Sequence, residues 1–275
     1  QALWANFPAN LQLFCPATVT GFAQHADYAS VTTAEFGELK AKLVIAADGG
    51  QSQLRQLAQI GVSGWQYQQS CLVVTVNTEC EQQDITWQQF NESGPRAFLP
   101  LPGKQGSLVW YDHHHKVKQL AALSKTALAE QIQQAFPAKL GKITVEQVAS
   151  FPLARVHAKD YVKGRLVLVG DAAHSINPLA GQGVNLGFAD AMLLSELLEQ
   201  AFAQGKDLAE PELLKQYQNT RQRENALMMS AMDLFYQSFS SSLPPVRFLR
   251  QLGLAVAEKA GPLKHWVSRY AVGIS

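Results

Sequence analysis

The sequence is poor in the features that mark several large classes of protein. Its 275 residues include three cysteines, Cys15, Cys71 and Cys80, and no two of them form a C-x-x-C pair. An odd number of separated cysteines argues against a disulfide framework and against a zinc site. The cysteine content therefore fits a reducing cytoplasm.

Excess charge and long apolar runs are also missing. The chain carries 23 basic and 22 acidic residues, so it lacks the positive field by which many proteins bind nucleic acid. Its apolar runs fall far short of the ~18 to 20 residues that a membrane-spanning helix needs, and no signal-peptide pattern opens the chain. We expect a cytoplasmic protein without a nucleic-acid partner, attached at most to a membrane surface.

An initiator Met is absent, and the opening residues read as a strand without a helix-capping signal. We interpret the chain as a fragment of a longer protein. What is present is enough apolar surface for a large core, because 47% of the residues are hydrophobic.

Hydrophobic periodicity predicts α/β segments at both ends of a β-rich insert, followed by a helical tail. Short runs rich in aromatic and β-branched residues predict a mostly antiparallel sheet, with two more strands between residues 143 and 161. The predicted fold class is therefore α+β or α/β. The expected domains are residues 1–62 with 152–205, residues 63–151 as the β-rich domain, and residues 206–275 as the helical region.

The stretch GDAAHSINPLAGQGVN, at residues 170–185, follows the apolar run RLVLV and precedes a long helical pattern. A helix start has unpartnered N–H groups and a partial positive charge, so glycines there allow an anionic or electron-rich ligand to approach. This pattern favours a nucleotide cofactor. It is not the G-x-G-x-x-G fingerprint of dinucleotide sites, because the glycine after Gly181 and Gly183 is Gly187.

A second motif, IAADGGQSQLRQ at residues 45–56, has the pattern D-G-x-x-S-x-x-R. Alone, Asp48-Gly49 would be an ordinary turn and Asp171 an ordinary helix cap. Together, in this order and separation, the two motifs resemble those of the aromatic hydroxylase class of flavoprotein monooxygenases. NPLAGQGVNLGFAD is similar to the signature of the ubiquinone-biosynthesis hydroxylases in that class, and the resemblance extends over essentially the whole chain.

The resemblance implies a truncated, Rossmann-like FAD-binding domain with a β-sheet substrate domain and a helical tail. It implies that Asp171 bonds the ribityl side of FAD and that the helix beginning near Gly181 points N–H groups at the flavin. The family's N-terminal G-x-G-x-x-G unit is missing, so we expect this chain alone to be inactive and not to retain FAD. The residues implied in cofactor binding are Asp48, Gly49, Ser52, Arg55, Gly170, Asp171, His174, Pro178, Gly181, Gln182, Gly183, Val184 and Asn185.

The activity implied is ring hydroxylation of a polyprenylated methoxy-methyl-benzoquinol with O2 and NAD(P)H, through a flavin C4a-hydroperoxide. Such a quinol ring is already nucleophilic, so no catalytic side chain is assigned. The resemblance also places Phe98 and Pro100, with Trp110, near the substrate ring, although aromatic residues in strands are more often core.

Several residues keep two interpretations. His174 fits a structural or pyrophosphate-side role better than proton transfer, and Arg55 either touches a cofactor phosphate or lies on an exposed helix face. The triplet His113-His114-His115 is expected in a solvated loop and not at a metal, because consecutive side chains do not converge.

The tail from residue 244 onward is basic and amphipathic, which fits either docking to a membrane or to other ubiquinone-biosynthesis proteins, or plain packing on the body. Two other functions stay open. One is a cofactor-free prenyl-quinol binding module, and the other is a hydroxylase of soluble aromatic compounds.

Overall fold

The computed structural model describes residues 6–79, 84–91, 93–176 and 183–240. These fall into two compact units. The first holds the described residues up to 63, residues 158–174 and residues 187–223; the second holds those between 64 and 157, between 175 and 186, and from 224 to 240. The three-part division expected from the sequence stays a prediction.

Strands occupy most of the first two thirds of the chain, and the longest helices follow them. In chain order the strands are β1 (Val19–Gln24), β2 (Ala29–Thr33), β3 (Gly37–Ala41), β4 (Val44–Ala46), β5 (Val62–Thr78), β6 (Trp87–Asn91), β7 (Gly94–Pro100), β8 (Gln105–His113), β9 (Ile143–Ala158), β10 (Val162–Lys163), β11 (Leu166–Leu168) and β12 (His174–Ser175). The α-helices are α1 (Gln53–Leu57), α2 (His114–Ala121), α3 (Lys125–Ala135), α4 (Gly183–Ala203) and α5 (Pro211–Ser240), with short 3-10 helices at Ala138–Leu140 and Gly170–Ala172.

The first unit contains two small sheets. Strands β1, β2 and β3 form an antiparallel meander, and β4 pairs in parallel with β11, which pairs in turn with β10. The run RLVLV forms β11 because its apolar side chains are fully enclosed: Leu166, Val167 and Leu168 are each 0% exposed. Side chains from α4 and α5, among them Leu194 and Tyr217, complete this core.

The second unit is built on a six-stranded sheet with the order β12-β9-β5-β8-β7-β6. The predicted antiparallel arrangement is confirmed, because β5 with β8, β8 with β7 and β7 with β6 all pair antiparallel. One face of the sheet, including Leu72 and Leu108, packs against Val117 of α2 and Ile132 of α3. The other face carries a smaller buried cluster formed by Tyr67, Cys71, Tyr111 and Leu153.

Two expectations about the elements are wrong. Residues 143–158, which include Pro152, form the single strand β9, where two strands were expected between residues 143 and 161. Proline is tolerated there because it lies exposed in a strand whose outer neighbour is only two residues long, near the edge of the sheet. The histidine triplet is not a loop, since His113 ends β8 and His114 begins α2.

The three histidine side chains are not directed at one point. The rings of His113 and His115 stack with centroids 5.9 Å apart, whereas His114 Nδ1 lies 2.7 Å from Ser70 Oγ. Within the described ranges, no three His, Cys, Asp or Glu side chains are grouped so that they could hold a metal ion.

None of the helices that the structure describes is both long enough and apolar enough to cross a membrane. The basic tail from residue 244 onward lies outside the described residues, and its docking role stays a prediction.

Candidate functional site

The two sequence motifs follow neighbouring parallel strands. Strand β4 pairs with β11 in register, with Ala46 opposite Leu168, and each strand runs directly into its motif. The carboxyl ends of parallel strands meet at one edge of a sheet, where α/β proteins bind their ligands. The turns at Asp48-Gly49 and Gly170-Asp171 therefore lie at one edge of the sheet formed by β10, β11 and β4.

The Asp-Gly turn is organised by the start of α1. Asp48 Oδ2 accepts hydrogen bonds from the backbone N–H groups of Gln53 at 2.8 Å and Leu54 at 3.1 Å. Ser52, which is 0% exposed, caps the same helix by accepting from the N–H of Arg55 at 3.0 Å. Two motif residues thus satisfy the unpaired donors at the start of α1, a structural role that does not depend on a ligand.

Glycines leave the Asp-Gly turn open on one side. Gly49 has a φ of +80°, a conformation that other residues adopt at a cost, and a Cβ added at Gly49 or Gly50 would meet nothing within 4 Å. The backbone here is accessible to a ligand, as a phosphate- or polyol-binding turn requires.

Arg55 is buried and joins the two motifs. Its side chain is in the core at 6% exposure, so the exposed-face interpretation is wrong. Its Nη1 donates to the carbonyl of Ala172 at 2.7 Å, and its Nη2 donates to the carbonyl of Gly50 at 2.8 Å. A direct contact between Arg55 and a cofactor phosphate stays a prediction.

The Gly-Asp turn is fixed at the backbone and open at its carboxylate. Gly170 has a φ of +57°, and its carbonyl accepts from the N–H of Ala173 at 2.8 Å, which closes the turn. Asp171 itself is exposed, and the structure records no partner for its side chain among the described residues. An exposed carboxylate on a fixed turn can accept hydrogen bonds from hydroxyl groups such as those of the ribityl chain of FAD.

His174 belongs to a buried ionic network. It is 1% exposed, its ring stacks on that of Tyr161 with centroids 5.9 Å apart, and its Nε2 lies 2.6 Å from Oδ2 of Asp190. Arg221 donates from Nε to Oδ1 of the same carboxylate at 2.7 Å. This enclosed position favours the structural role expected for His174 over proton transfer.

Asp190 and Arg221 are residues that the sequence analysis missed. Burial raises the pKa of the Asp190 carboxyl, but hydrogen bonds and charge from His174, together with hydrogen bonds from Arg221 and Gly170, outweigh it and hold the pKa below its usual value. The signal in the sequence is an acid within the apolar helical run LGFADAMLL, and a buried acid needs partners. Arg221 offers no comparable signal in the sequence.

The remaining predicted cofactor residues lie around the start of α4. That helix begins at Gly183, and Val184 and Asn185 in its first turn are exposed. Pro178, Gly181 and Gln182 lie outside the described residues. The exposed first turn is compatible with the predicted flavin contact, which stays a prediction.

Two of the three predicted substrate residues lie in the protein core. Phe98 and Trp110 are each 3% exposed and pack in the core under α2 and α3, because alternate residues of β7 and β8 point to that face. Pro100 is half-buried at the end of β7. A substrate role for these residues stays a prediction that the burial of the two aromatics disfavours.

The same alternation places other side chains on the opposite face of the sheet. Cys71 pairs with Tyr111, and the half-buried Val73 pairs with Val109 along β5 and β8. Burial raises the pKa of the Cys71 thiol to about 12, so it is not a thiolate near neutral pH. None of the side chains named in this paragraph is an activated nucleophile.

Sequence comparisons with known proteins identify the family of this chain. Residues 14–231 match the family model described as "FAD binding domain". The chain is 46% identical to the 3-demethoxyubiquinol 3-hydroxylase of Escherichia coli K12, with 100% of the chain and 71% of that protein aligned. It is 37% identical to the ubiquinone hydroxylase UbiL of Rhodospirillum rubrum, with 95% of the chain and 61% of that protein aligned.

A solved structure shares the fold at lower identity. The Diels-Alderase PyrE3 of the pyrroindomycin pathway superposes with a TM-score of 0.73 at 21% identity, covering 94% of this chain and 56% of that one. The family and fold class expected from the two motifs are thus confirmed, and FAD is the cofactor of the family. The chain belongs to the FAD-binding family of the ubiquinone-biosynthesis hydroxylases.

Proposed function

We propose that the protein containing this chain is an FAD-dependent monooxygenase that hydroxylates the ring of a polyprenylated methoxy-methyl-benzoquinol in ubiquinone biosynthesis. The observation that carries the proposal is the 46% identity, over the whole chain, to a 3-demethoxyubiquinol 3-hydroxylase. The residue pattern most resembles a 2-polyprenyl-3-methyl-6-methoxy-1,4-benzoquinol hydroxylase. The chain spans 71% of the length of one curated relative and 61% of another. We therefore propose the activity for the complete gene product.

The residues of the first unit fit the proposed cofactor. Asp171 would accept a hydrogen bond from a ribityl hydroxyl, and the open backbone at Gly49 and Gly50 would lie against the polar part of FAD. FAD reduced by NAD(P)H would supply the oxygen-activating chemistry. The protein's own part is to hold the ligands and to exclude water.

The proposed reaction does not need a reactive side chain on the sheet of the second unit. A quinol ring with methoxy, methyl and prenyl substituents is electron-rich and is itself the nucleophile. The protein therefore needs to position the ring but does not need a nucleophilic residue. The buried and protonated Cys71 and the apolar pairs beside it are consistent with this division of labour. We assign no general base.

Turnover of the complete gene product tests the proposal. With NADH or NADPH, 18O2 and a short-chain prenylated demethoxyquinol, the product should gain one labelled oxygen on the ring. A non-prenylated phenol, supplied at equal concentration, serves as the comparison substrate. Faster turnover of the phenol would favour a hydroxylase of soluble aromatics, and quinol binding without flavin absorbance or oxygen uptake would favour a binding module.

A further inference from the structure

The carboxylate of Asp190 divides its two oxygens between an ion pair and a backbone group. Oδ1 accepts from Arg221 Nε at 2.7 Å, whereas Oδ2 accepts from the backbone N–H of Gly170 at 2.9 Å and lies 2.6 Å from His174 Nε2. The carboxylate is 0% exposed, so its acceptors are directed entirely at protein groups. An ion pair alone would not require the contact to Gly170.

A glycine in helix α4 allows the helix to approach the Gly170 turn closely. Gly187 lies one helical turn before Asp190 and therefore on the same face of α4. A Cβ added at Gly187 would lie 3.3 Å from the Cα of Gly170, which is closer than ordinary van der Waals contact. The absence of a side chain at position 187 thus allows the approach that the Asp190 hydrogen bond needs.

The backbone groups that flank the turn are also held. Val169 donates to Ala46 at 3.0 Å, Ala173 donates to Gly170 at 2.8 Å, and the carbonyl of Ala172 accepts from Arg55 at 2.7 Å. The side chain of Asp171 is left exposed at the centre of this fixed segment. Such an arrangement preorganises a ligand-binding group, because the ordering entropy is lost on folding and not on binding.

We propose that Asp190 is a positioning residue: its Oδ2 locks the left-handed Gly170 turn and so presents the Asp171 carboxylate to the ribityl chain of FAD. The inference rests on the proposed function for the identity of the ligand. The lock itself is a property of this chain and is measurable without any ligand.

The hydrogen-bond directions permit a sharp substitution test. Asp190→Ala removes both acceptor oxygens, so Gly170 N–H and Arg221 Nε–H, which can only donate, both lose their partner. Arg221→Gln places an acceptor oxygen at the position of Nε, counted by bonds from Cβ. In the double variant Asp190→Asn with Arg221→Gln, the amide at position 190 can still accept from Gly170 and can donate to the amide oxygen at position 221.

The variants Asp190→Ala and Asp190→Asn with Arg221→Gln are compared with wild type in the complete gene product. Asp207→Ala is the matched control, because Asp207 also pairs with an arginine of the first unit, Arg165, at 2.6 Å and lies outside the turn. Two quantities are measured: amide exchange at Gly170 in cofactor-free protein, and the FAD dissociation constant from quenching of flavin fluorescence.

We expect Asp190→Ala to accelerate exchange at Gly170 and to weaken FAD binding, each by about tenfold or more, because Gly170 loses a buried hydrogen bond. The double variant should stay within about threefold of wild type in both quantities, and Asp207→Ala should change neither. Unchanged exchange at Gly170 in Asp190→Ala, or exchange in the double variant as fast as in Asp190→Ala, overturns the proposal. Accelerated exchange with unchanged FAD affinity overturns the link to the cofactor.

Failure of the proposed function gives a different result. Wild-type protein that binds no FAD contradicts the function, while the exchange arm still decides whether Asp190 holds the turn. If Asp190→Ala does not fold, Gly187→Ala replaces it, because it keeps the carboxylate and places a methyl group 3.3 Å from the Cα of Gly170. Exchange and FAD affinity unchanged by Gly187→Ala then count against the proposal.

Discussion

Arg55 donates hydrogen bonds to two backbone carbonyls, and each carbonyl belongs to a different motif. Gly50 lies in the Asp-Gly turn, and Ala172 lies in the Gly-Asp turn. The planar guanidinium has donors in a fixed fork, so it can span two acceptors that a lysine ammonium would serve less well. The mutual position of the two turns therefore depends on one side chain.

Replacing Arg55 with Met should weaken FAD binding even if Arg55 never touches FAD. Two carbonyls would lose their donors, each at a cost of about 1 to 3 kcal/mol where water cannot reach them, and the turns would lose their link. Thermal unfolding and FAD titration of the complete gene product measure the two effects. Arg96→Met is the control, because Arg96 also donates to a carbonyl, that of Ala135 at 2.6 Å, but in the second unit.

We expect Arg96→Met to lower thermal stability and to leave FAD affinity unchanged. Equal loss of FAD affinity in the two variants would mean that general destabilisation, and not the link between the turns, controls the site.

The residue types at this site could be predicted from sequence, but their partners could not. The D-G-x-x-S-x-x-R pattern identifies Asp48 and Ser52, which bond to neighbouring backbone, and the Gly-Asp pair identifies Asp171, which lies on a local turn. The contact from Arg55 to Ala172 spans 117 positions, and that from Arg221 to Asp190 spans 31. No local pattern encodes such pairs, because tertiary packing alone brings them together.

At the scale of elements, β5 and β9 are neighbouring strands that approach closely at a glycine. A Cβ added at Gly64 would lie 1.9 Å from the backbone carbonyl oxygen of Arg155. Backbone cannot move aside as a flexible side chain can, so the strand pair requires glycine at position 64. The sequence showed a glycine in an extended pattern but not what it faces.

Gly64→Ala should lower the free energy of unfolding by about 3 kcal/mol, the upper part of the range for inserting a methyl group into packed structure. Urea unfolding followed by tryptophan fluorescence measures the loss. Gly61→Ala is the neighbouring control, since its added Cβ would meet the flexible side chain of Lys159 at 3.3 Å. Similar stability of the two variants would show that the strands separate at little cost.

Strand direction was predictable, whereas the face of each side chain was not. The aromatic and β-branched runs predicted an antiparallel sheet, and β5, β8, β7 and β6 form one. Assigning Phe98 and Trp110 to the substrate required knowing which face α2 and α3 cover. The period-two alternation shows that the two side chains share a face, but it does not show on which face the helices pack. In the structure both side chains point to the face that the helices cover.

At the scale of the whole molecule, the two units carry different chemical groups. The first unit carries the two fixed turns with the exposed Asp171 carboxylate, and the second carries a buried cluster in which the Cys71 thiol is protonated. The family was recognisable from sequence because the turns are short contiguous motifs, and the curated relatives confirm it.

The affinity of FAD for the Asp171→Ala variant of the complete gene product tests the central claim most directly. Loss of a charge-assisted hydrogen bond to a ribityl hydroxyl costs ~1.5 to 3 kcal/mol, so the dissociation constant should rise by roughly one to two decades. Asp160→Ala, which removes another exposed acid of the first unit, should leave the affinity unchanged. Undiminished FAD binding by Asp171→Ala, in protein with wild-type thermal stability, would contradict the account.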